Sequence, residues 1–378
     1  MKYVTKSLSV KNLIDSKYRS PTLLIDLSEV QSQYQQLKDG LPGAKVFYAM
    51  KSNPDEAVLR KMKSLGASFE VASIGELKRL EKIGVNLRKV IFSNPVKAES
   101  HIKEAFRMKI HSYAYDSPEE IETIAKNAPG SKVYLRVSVT NRGSLIDLSS
   151  KFGADSEHAI ALLGSAIDKG LKPIGLTFHV GSQAENLSVW DSAISTILPI
   201  LKQAKQQGFN LKIVNIGGGM PIQYSEASPD VEEVFTRIRR AIRKLPNDIE
   251  IWCEPGRFIV GTSGTLIANV VSKSFRANDE WLYLDVGRFQ AFVEMFESEE
   301  IHLPVLTDSN LEGKDVGTKM YTLTGPTCDA YDTIYKEIEL PQGIKTGDKL
   351  YFLKAGAYTT VYGSAFNDFP VPKTVIIE

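Results

Sequence analysis

Short apolar runs recur through the first two-thirds of the chain, and this rhythm constrains the fold more than any other feature. The runs are Val46–Met50, Ser68–Ala72, Val90–Phe92, His111–Tyr115, Val133–Val139, Ile174–Val180, Lys212–Ile216 and Glu250–Cys253. They are rich in Val, Ile, Phe and Tyr, and read as buried strands. The segments between them carry helix signals. Pro54 and Asp55 open a helix that closes near Gly66. Ser117–Ala128 has a Ser cap, a proline at the first helical position and Glu120 three residues after the cap, which predicts a capping box. Asn186–Gln207 and Pro229–Leu245 are longer amphipathic candidates. Eight strand–helix units predict an α/β fold, a (β/α)8 barrel over residues 29–261. An open doubly wound sheet is the alternative. The helical inserts differ too much in length and sequence for a repeat array.

After Gly261 the pattern changes. Thr265–Ser274, Trp281–Asp285, Met320–Thr324, Lys349–Lys354 and Lys373–Ile377 are short or alternating runs with turn residues between them. They predict an all-β domain over 262–378, joined by residues 1–28, which precede the barrel. Two domains fit a chain of 378 residues. The net charge of +1 gives no field for nucleic acid or an anionic membrane. No window has the run of about 18 apolar residues that a membrane span needs. The N-terminus shows no signal-peptide pattern, and the two cysteines, Cys253 and Cys328, fit a reducing cytoplasm. There is no Cys/His cluster with metal-ligand spacing.

A barrel places its chemistry at the C-terminal ends of its strands. Lys51 follows the first run, Glu70 lies late in the second, and Ser93 and Asn94 follow the third. Arg136 lies in the fifth. His179 ends the sixth and is followed by Gly181 and Ser182. Gly217, Gly218 and Gly219 follow the seventh, and Glu254, Gly256 and Arg257 the eighth. A single lysine after a strand is usually solvated surface, a glycine triplet usually a turn, and a lone histidine usually a core residue. Their common placement argues otherwise. A lysine at a barrel mouth can form a Schiff base with a carbonyl. The glycine turn exposes backbone N–H groups to a phosphate, with Arg257 and Ser182 as further donors. Glu254 suits a protonated ring nitrogen and His179 a ring face. Together they describe a site for pyridoxal 5′-phosphate.

The stretches FYAMKSN (Phe47–Asn53), FEVAS (Phe69–Ser73), SNP (Ser93–Pro95), SKFG (Ser150–Gly153) and FHVGSQ (Phe178–Gln183) run in that order. NIGGGMP (Asn215–Pro221), EPGRF (Glu254–Phe258), GPTCDAYD (Gly325–Asp332), GAY (Gly356–Tyr358) and FNDF (Phe366–Phe369) follow. In these motifs the chain resembles the fold-type III pyridoxal-phosphate decarboxylases of the ornithine/diaminopimelate/lysine family, and among them ornithine decarboxylases most. Their barrel is shared with alanine racemase. The resemblance implies that Lys51 anchors the cofactor covalently, that His179 stacks on its ring and that Glu254 holds its ring nitrogen protonated. Ser182, the turn ending at Gly218 and Gly219, Gly256, Arg257 and Tyr358 would bind the phosphate region. Glu70, where relatives usually carry Asp, and Arg136 would line the pocket. Cys328, which alone would read as a small core residue, would protonate the carbanion in the partner subunit's site. A homodimer with shared active sites follows, in which Lys151 and Asp332 match positions that pair across the interface.

The resemblance also orders the substrates. A distal ammonium calls for a carboxylate, a distal carboxylate for an arginine. Asp329 is the ornithine-type residue beside Cys328. In Asp285–Glu300, Val293 aligns where diaminopimelate enzymes carry arginine, and Phe296 and Glu297 align with a Tyr-Asp pair. Asp329, Glu297 and Phe296 would therefore bind a basic L-amino acid, ornithine giving putrescine. Lysine, diaminopimelate and carboxynorspermidine are the alternatives. A non-enzymatic regulatory homologue would have lost the lysine, the cysteine or the phosphate site, and none is lost. A racemase would use a tyrosine where GPTCD supplies Cys328. Arg288 has no assigned role.

Overall fold

A computed structural model describes residues 18–140, 142–148, 150–276 and 279–378. The first strands in chain order are β1 (Thr22–Asp26), β2 (Lys45–Ala49), β3 (Ser68–Val71), β4 (Val90–Phe92), β5 (Ser112–Tyr115) and β6 (Lys132–Arg136). Next come β7 (Ser144–Ile146), β8 (Lys172–Thr177), β9 (Ser182–Ala184), β10 (Ile213–Asn215) and β11 (Glu250–Cys253). The remainder are β12 (Gly264–Arg276), β13 (Asp279–Leu284), β14 (Val305–Thr307), β15 (Thr318–Thr324), β16 (Thr333–Pro341), β17 (Lys349–Leu353) and β18 (Lys373–Ile377).

The eight predicted runs become the eight strands of a closed barrel, in the order β10-β11-β2-β3-β4-β5-β6-β8. Every pair of neighbours is parallel. The intervening helices supply the crossovers that parallel pairing demands. They begin where the sequence offers caps. Asp55 accepts from Ala57 N, Ser73 from Glu76 N and Ser117 from Glu120 N. Phe47, Ile91, Ala114, Tyr134, Ile213 and Trp252 pack together from six different strands, so they fill the barrel's interior. The Phe47 and Trp252 rings lie 4.7 Å apart, and Tyr134 meets Trp252 edge-on at 6.1 Å.

Chain contacts divide the molecule into two compact units. One comprises Tyr34–Gln223 and Ala227–Phe258 and holds the barrel. The other comprises Met1–Gln33, Tyr224–Glu226 and Ile259–Glu378; the part of it before residue 18 lies outside the described residues. In this second unit the sheet runs β14-β17-β12-β13-β15-β16, and β1 joins it by pairing antiparallel with β12 and parallel with β18. All five residues of β1 are buried, as expected of a strand paired on both edges.

The capping box predicted at Ser117 forms only in half. Glu120 sends its carboxylate to Lys97 at 2.6 Å instead of back to the cap. Lys97 is fully buried and donates also to the carbonyls of Asn94, Pro95 and Ala114, at 2.8, 3.2 and 2.7 Å. It thereby ties the loop after β4 to the end of β5. Burial pushes the Lys97 ammonium down and the Glu120 carboxyl up, each opposed by the charge of the other. Replacing Lys97 with Met removes one partner and strands Glu120 as an uncompensated charge, so stability should fall by about 3–5 kcal/mol. Chemical denaturation measures this, and the double variant Lys97→Met/Glu120→Leu should recover much of the loss.

Candidate active site

The loops at the C-terminal ends of the barrel strands converge. The Ala49 amide, at the end of β2, donates to the Pro255 carbonyl after β11 at 3.0 Å, and Glu254 N donates to Gly217 O at 2.7 Å. Lys51 follows β2 in a single 3₁₀ turn, Met50–Ser52. That turn is fixed by Tyr48 Oη on Asn53 O at 2.9 Å and by Ser52 Oγ on Ala49 O at 2.9 Å. Lys51 Nζ lies 2.8 Å from Glu70 Oε2; the lysine side chain is 43% exposed and the glutamate 2%. The ammonium thus faces open space while its counter-charge is locked below it.

Glu254 is held by two donors on one oxygen. Ser93 Oγ reaches its Oε1 at 2.5 Å and Asn215 Nδ2 at 2.6 Å. Ser93 is itself 2.6 Å from the hydroxyl of Tyr134. Oε2 is left as the oxygen for a ligand. Glu254 lies deep in the barrel end yet opens onto the space there. Burial and the nearby Glu70 push its carboxyl up, while Lys51, Ser93 and Asn215 oppose this. Glu76 forms a second tuned carboxyl, pushed up to about 7 by burial and Glu70, with the Ala72 amide bonded to it at 2.6 Å. His179 accepts from the Gly181 amide at Nδ1, 3.1 Å away, which fixes the Nε2–H tautomer. Burial pushes this imidazole down to about 3, aided by Arg136 and Lys51. The ring is therefore neutral, and Arg136, at the end of β6, stacks over Phe152 at 5.2 Å.

The glycine turn is a cradle that side chains would fill. A Cβ on Gly217 would sit 2.4 Å from Phe178 O, one on Gly218 2.7 Å from Glu254 O, and one on Gly219 2.2 Å from Gly181 O. Gly217 and Gly219 also need positive φ, at +66° and +86°. Arg257, buried, donates to Ser182 Oγ at 3.1 Å on β9. Gly256 lets its loop close onto Ser52, whose Cβ would lie 2.9 Å from an added Cβ.

The second unit carries the other expected residues. Cys328 is exposed, and Asp329 accepts from Tyr331 N at 2.8 Å, capping the Ala330–Asp332 turn. Phe296 and the exposed Glu297 close the Val293–Phe296 turn. Arg288, unassigned from sequence, is buried and stacks over Phe296 at 5.5 Å. Tyr358 has φ of +58° and lies 5.5 Å from the Tyr362 ring.

Asp332, which the resemblance pairs with Lys151 across subunits, also organises its own loop. It is fully buried and accepts from Arg288 N at 2.7 Å, Thr327 N at 3.0 Å and Thr327 Oγ1 at 2.7 Å. Lys151 stacks over its neighbour Phe152 at 5.1 Å.

Residues 27–261 match the family model described as pyridoxal-dependent decarboxylase, pyridoxal binding domain. The chain belongs to the pyridoxal-dependent decarboxylases. It is 35% identical to a lysine/ornithine decarboxylase of Selenomonas ruminantium, over 95% of this chain and 90% of that one. It is 32% identical to an ornithine decarboxylase of Schizosaccharomyces pombe, over 93% of this chain and 82% of the other. A crystal structure of lysine/ornithine decarboxylase from Vibrio vulnificus, complexed with putrescine, superposes with a TM-score of 0.87 at 29% identity, covering 96% of this chain and 95% of that one.

The residues of this decarboxylase fit pyridoxal phosphate. The substituent-free glycine turn leaves backbone where a phosphate would lie, the buried Arg257 supplies charge beside it, and Lys51 stands over a buried counter-ion. In the sequence Ser93 stands at a strand end and Asn215 within NIGGGMP, and nothing local ties either to Glu254. Their common destination appears only when β4, β10 and β11 close into one barrel.

Two tests follow from this geometry. Gly218→Ala forces a methyl group against the Glu254 carbonyl, so cofactor affinity of the decarboxylase should fall at least about tenfold, the equivalent of about 1.4 kcal/mol. Absorbance titration of the apoprotein with pyridoxal phosphate measures it. His179 is pushed below its ordinary value, so the unfolded chain takes up a proton first as pH falls below about 6.5. Apoprotein stability should then drop relative to His179→Gln, by up to about 1.4 kcal/mol per pH unit, less where water enters the open barrel end.

Proposed function

We propose that this decarboxylase removes CO2 from a basic L-amino acid, with L-ornithine the first substrate, giving putrescine, and L-lysine the second. One observation carries the substrate class. The aligned specificity positions offer the carboxylates Glu297 and Asp329, with Val293 where a diacid substrate would need a cation. The named activities of the Selenomonas and Schizosaccharomyces relatives support the same class.

Pyridoxal phosphate supplies an electron sink for the bonding pair left behind when CO2 departs. The protein's part can be assigned residue by residue. Lys51, oriented by Glu70, would hold the cofactor covalently. Glu254, with Ser93 and Asn215 bound to Oε1, would offer Oε2 to the ring nitrogen and keep it protonated. Neutral His179 would cover the ring face without adding a second positive charge, and Arg136 would line the same space. The glycine turn, Gly256, Arg257, Ser182 and Tyr358 would bind the phosphate. Phe296 walls the side-chain subsite. The Cys328 thiol delivers the proton that replaces CO2 on the α-carbon.

Residues 29–261 then form the cofactor domain, and residues 1–28 and 262–378 contribute Cys328 to the site of the second subunit in a homodimer. An exposed free thiol fits a reducing, cytoplasmic setting.

CO2 release across L-ornithine, L-lysine, L-arginine, meso-diaminopimelate and carboxynorspermidine, with Lys51→Ala as the blank, tests the substrate class. The highest kcat/KM should fall on ornithine or lysine. Preference for diaminopimelate would overturn the assignment of Glu297 and Asp329. Mixing the inactive Lys51→Ala protein with the amine-deficient Cys328→Ala protein should restore about a quarter of the amine-forming activity if sites are shared in a dimer, because half the dimers then carry one intact site. No recovery on subunit exchange would contradict the shared site.

A further inference from the structure

Cys328 has a partner that neither its motif nor the substrate argument assigns. The side chain of Asn367 places one atom, Oδ1, 3.3 Å from the Cys328 backbone nitrogen and 3.4 Å from its sulfur. A backbone N–H can only donate, so the Asn367 atom facing it is the carbonyl oxygen and not the NH2. The thiol beside that oxygen must therefore donate its S–H to it. The contact orients the S–H toward Asn367.

The turn that carries Asn367 is built to hold this position. Asn367 and Asp368 both adopt left-handed backbone, with φ of +55° and +60°, a conformation that Asn tolerates better than most side chains. Phe366 packs on Phe289, ring centroids 4.7 Å apart, and its carbonyl accepts from Gln290 Nε2 at 3.4 Å. Ser364 N donates to Phe289 O at 2.8 Å. The opposite side of Cys328 is fixed as well, because the buried Asp332 carboxylate holds Thr327 by both its amide and its hydroxyl. Two loops 39 residues apart in sequence are thus locked on either side of one thiol.

We propose that Asn367 is the positioning residue for the Cys328 thiol, and that it sets the fidelity with which the α-carbon is protonated. The inference rests on Cys328 being the proton donor. After CO2 leaves, a proton placed on the α-carbon gives the amine. A proton placed on the cofactor carbon instead, followed by hydrolysis with one water, gives an aldehyde and the aminated cofactor. A thiol that wanders loses that competition more often.

The test compares holoenzymes carrying Asn367→Gly, Asn367→Asp and Cys328→Ala, with product partition between amine and aldehyde as the readout. Glycine keeps the left-handed turn and removes only the amide, while Asp retains an acceptor oxygen. Asn367→Gly should raise the aldehyde fraction roughly tenfold, less than the 10²–10⁴ that a general acid itself contributes, and Asn367→Asp should restore most of the amine. Alkylation of Cys328 by iodoacetamide, with the buried Cys253 as an internal control, should quicken roughly threefold in Asn367→Gly as the S–H loses its acceptor. Asn367→Ser, too short to reach the sulfur, replaces the glycine variant should that one prove unstable. If Cys328→Ala raises the aldehyde fraction and Asn367→Gly does not, the positioning role is wrong while the proton donor stands. If neither changes the partition, the proton-donor reading falls and this inference falls with it.

Discussion

The hydrogen bonds that Ser93 and Asn215 send to a single oxygen of Glu254 are the interaction on which the barrel end depends. A carboxylate set this deep costs several kcal/mol unless donors satisfy it. Here the donors come from the ends of two different strands, β4 and β10, while the acceptor follows a third, β11. The three loops can meet only if the barrel closes in register. Closure in turn requires the interior aromatic cluster of Phe47, Tyr134 and Trp252. The polar site and the apolar core are therefore two layers of one construction, and Tyr134 belongs to both through its ring and its hydroxyl.

The Lys51–Glu70 pair follows the same logic with the opposite exposure. Glu70 is buried and cannot leave, so the ammonium above it is held at a fixed height while staying open to a ligand. Lys97 shows what a lysine does when it is meant only to build. It is fully enclosed and spends its three protons among three carbonyls and a carboxylate. The two lysines follow strands β2 and β4 of the same barrel and differ in function because one is sealed and the other is not.

Much of this was readable from the chain. The eight apolar runs predicted the eight barrel strands, because a strand buried on both faces needs an uninterrupted run and leaves that trace. The ends were less readable. Val133–Val139 stops being strand at Arg136, and Ile174–Val180 at Thr177, since the residues beyond turn into the loops that carry the site. Glu120 looked like half of a capping box, but Lys97, 23 residues away, outbid the local partner. Asp332 also organises its own loop by accepting from Arg288 and Thr327, which no local pattern announces. The strand β16 (Thr333–Pro341) went unrecognised because charged residues interrupt its apolar pattern, so its pairing with β15 carries the information that its composition lacks. In each case the missing information was a long-range contact, which composition and periodicity do not encode.

The central claim is that the residues gathered around Lys51 hold pyridoxal phosphate through that lysine. Borohydride reduction of the cofactor-loaded protein, followed by peptide mass mapping, tests it most directly. The account predicts a phosphopyridoxyl group on Lys51 alone, in the peptide that contains FYAMKSN. Labelling of another lysine such as Lys97 or Lys354, with Lys51 unmodified, would contradict it.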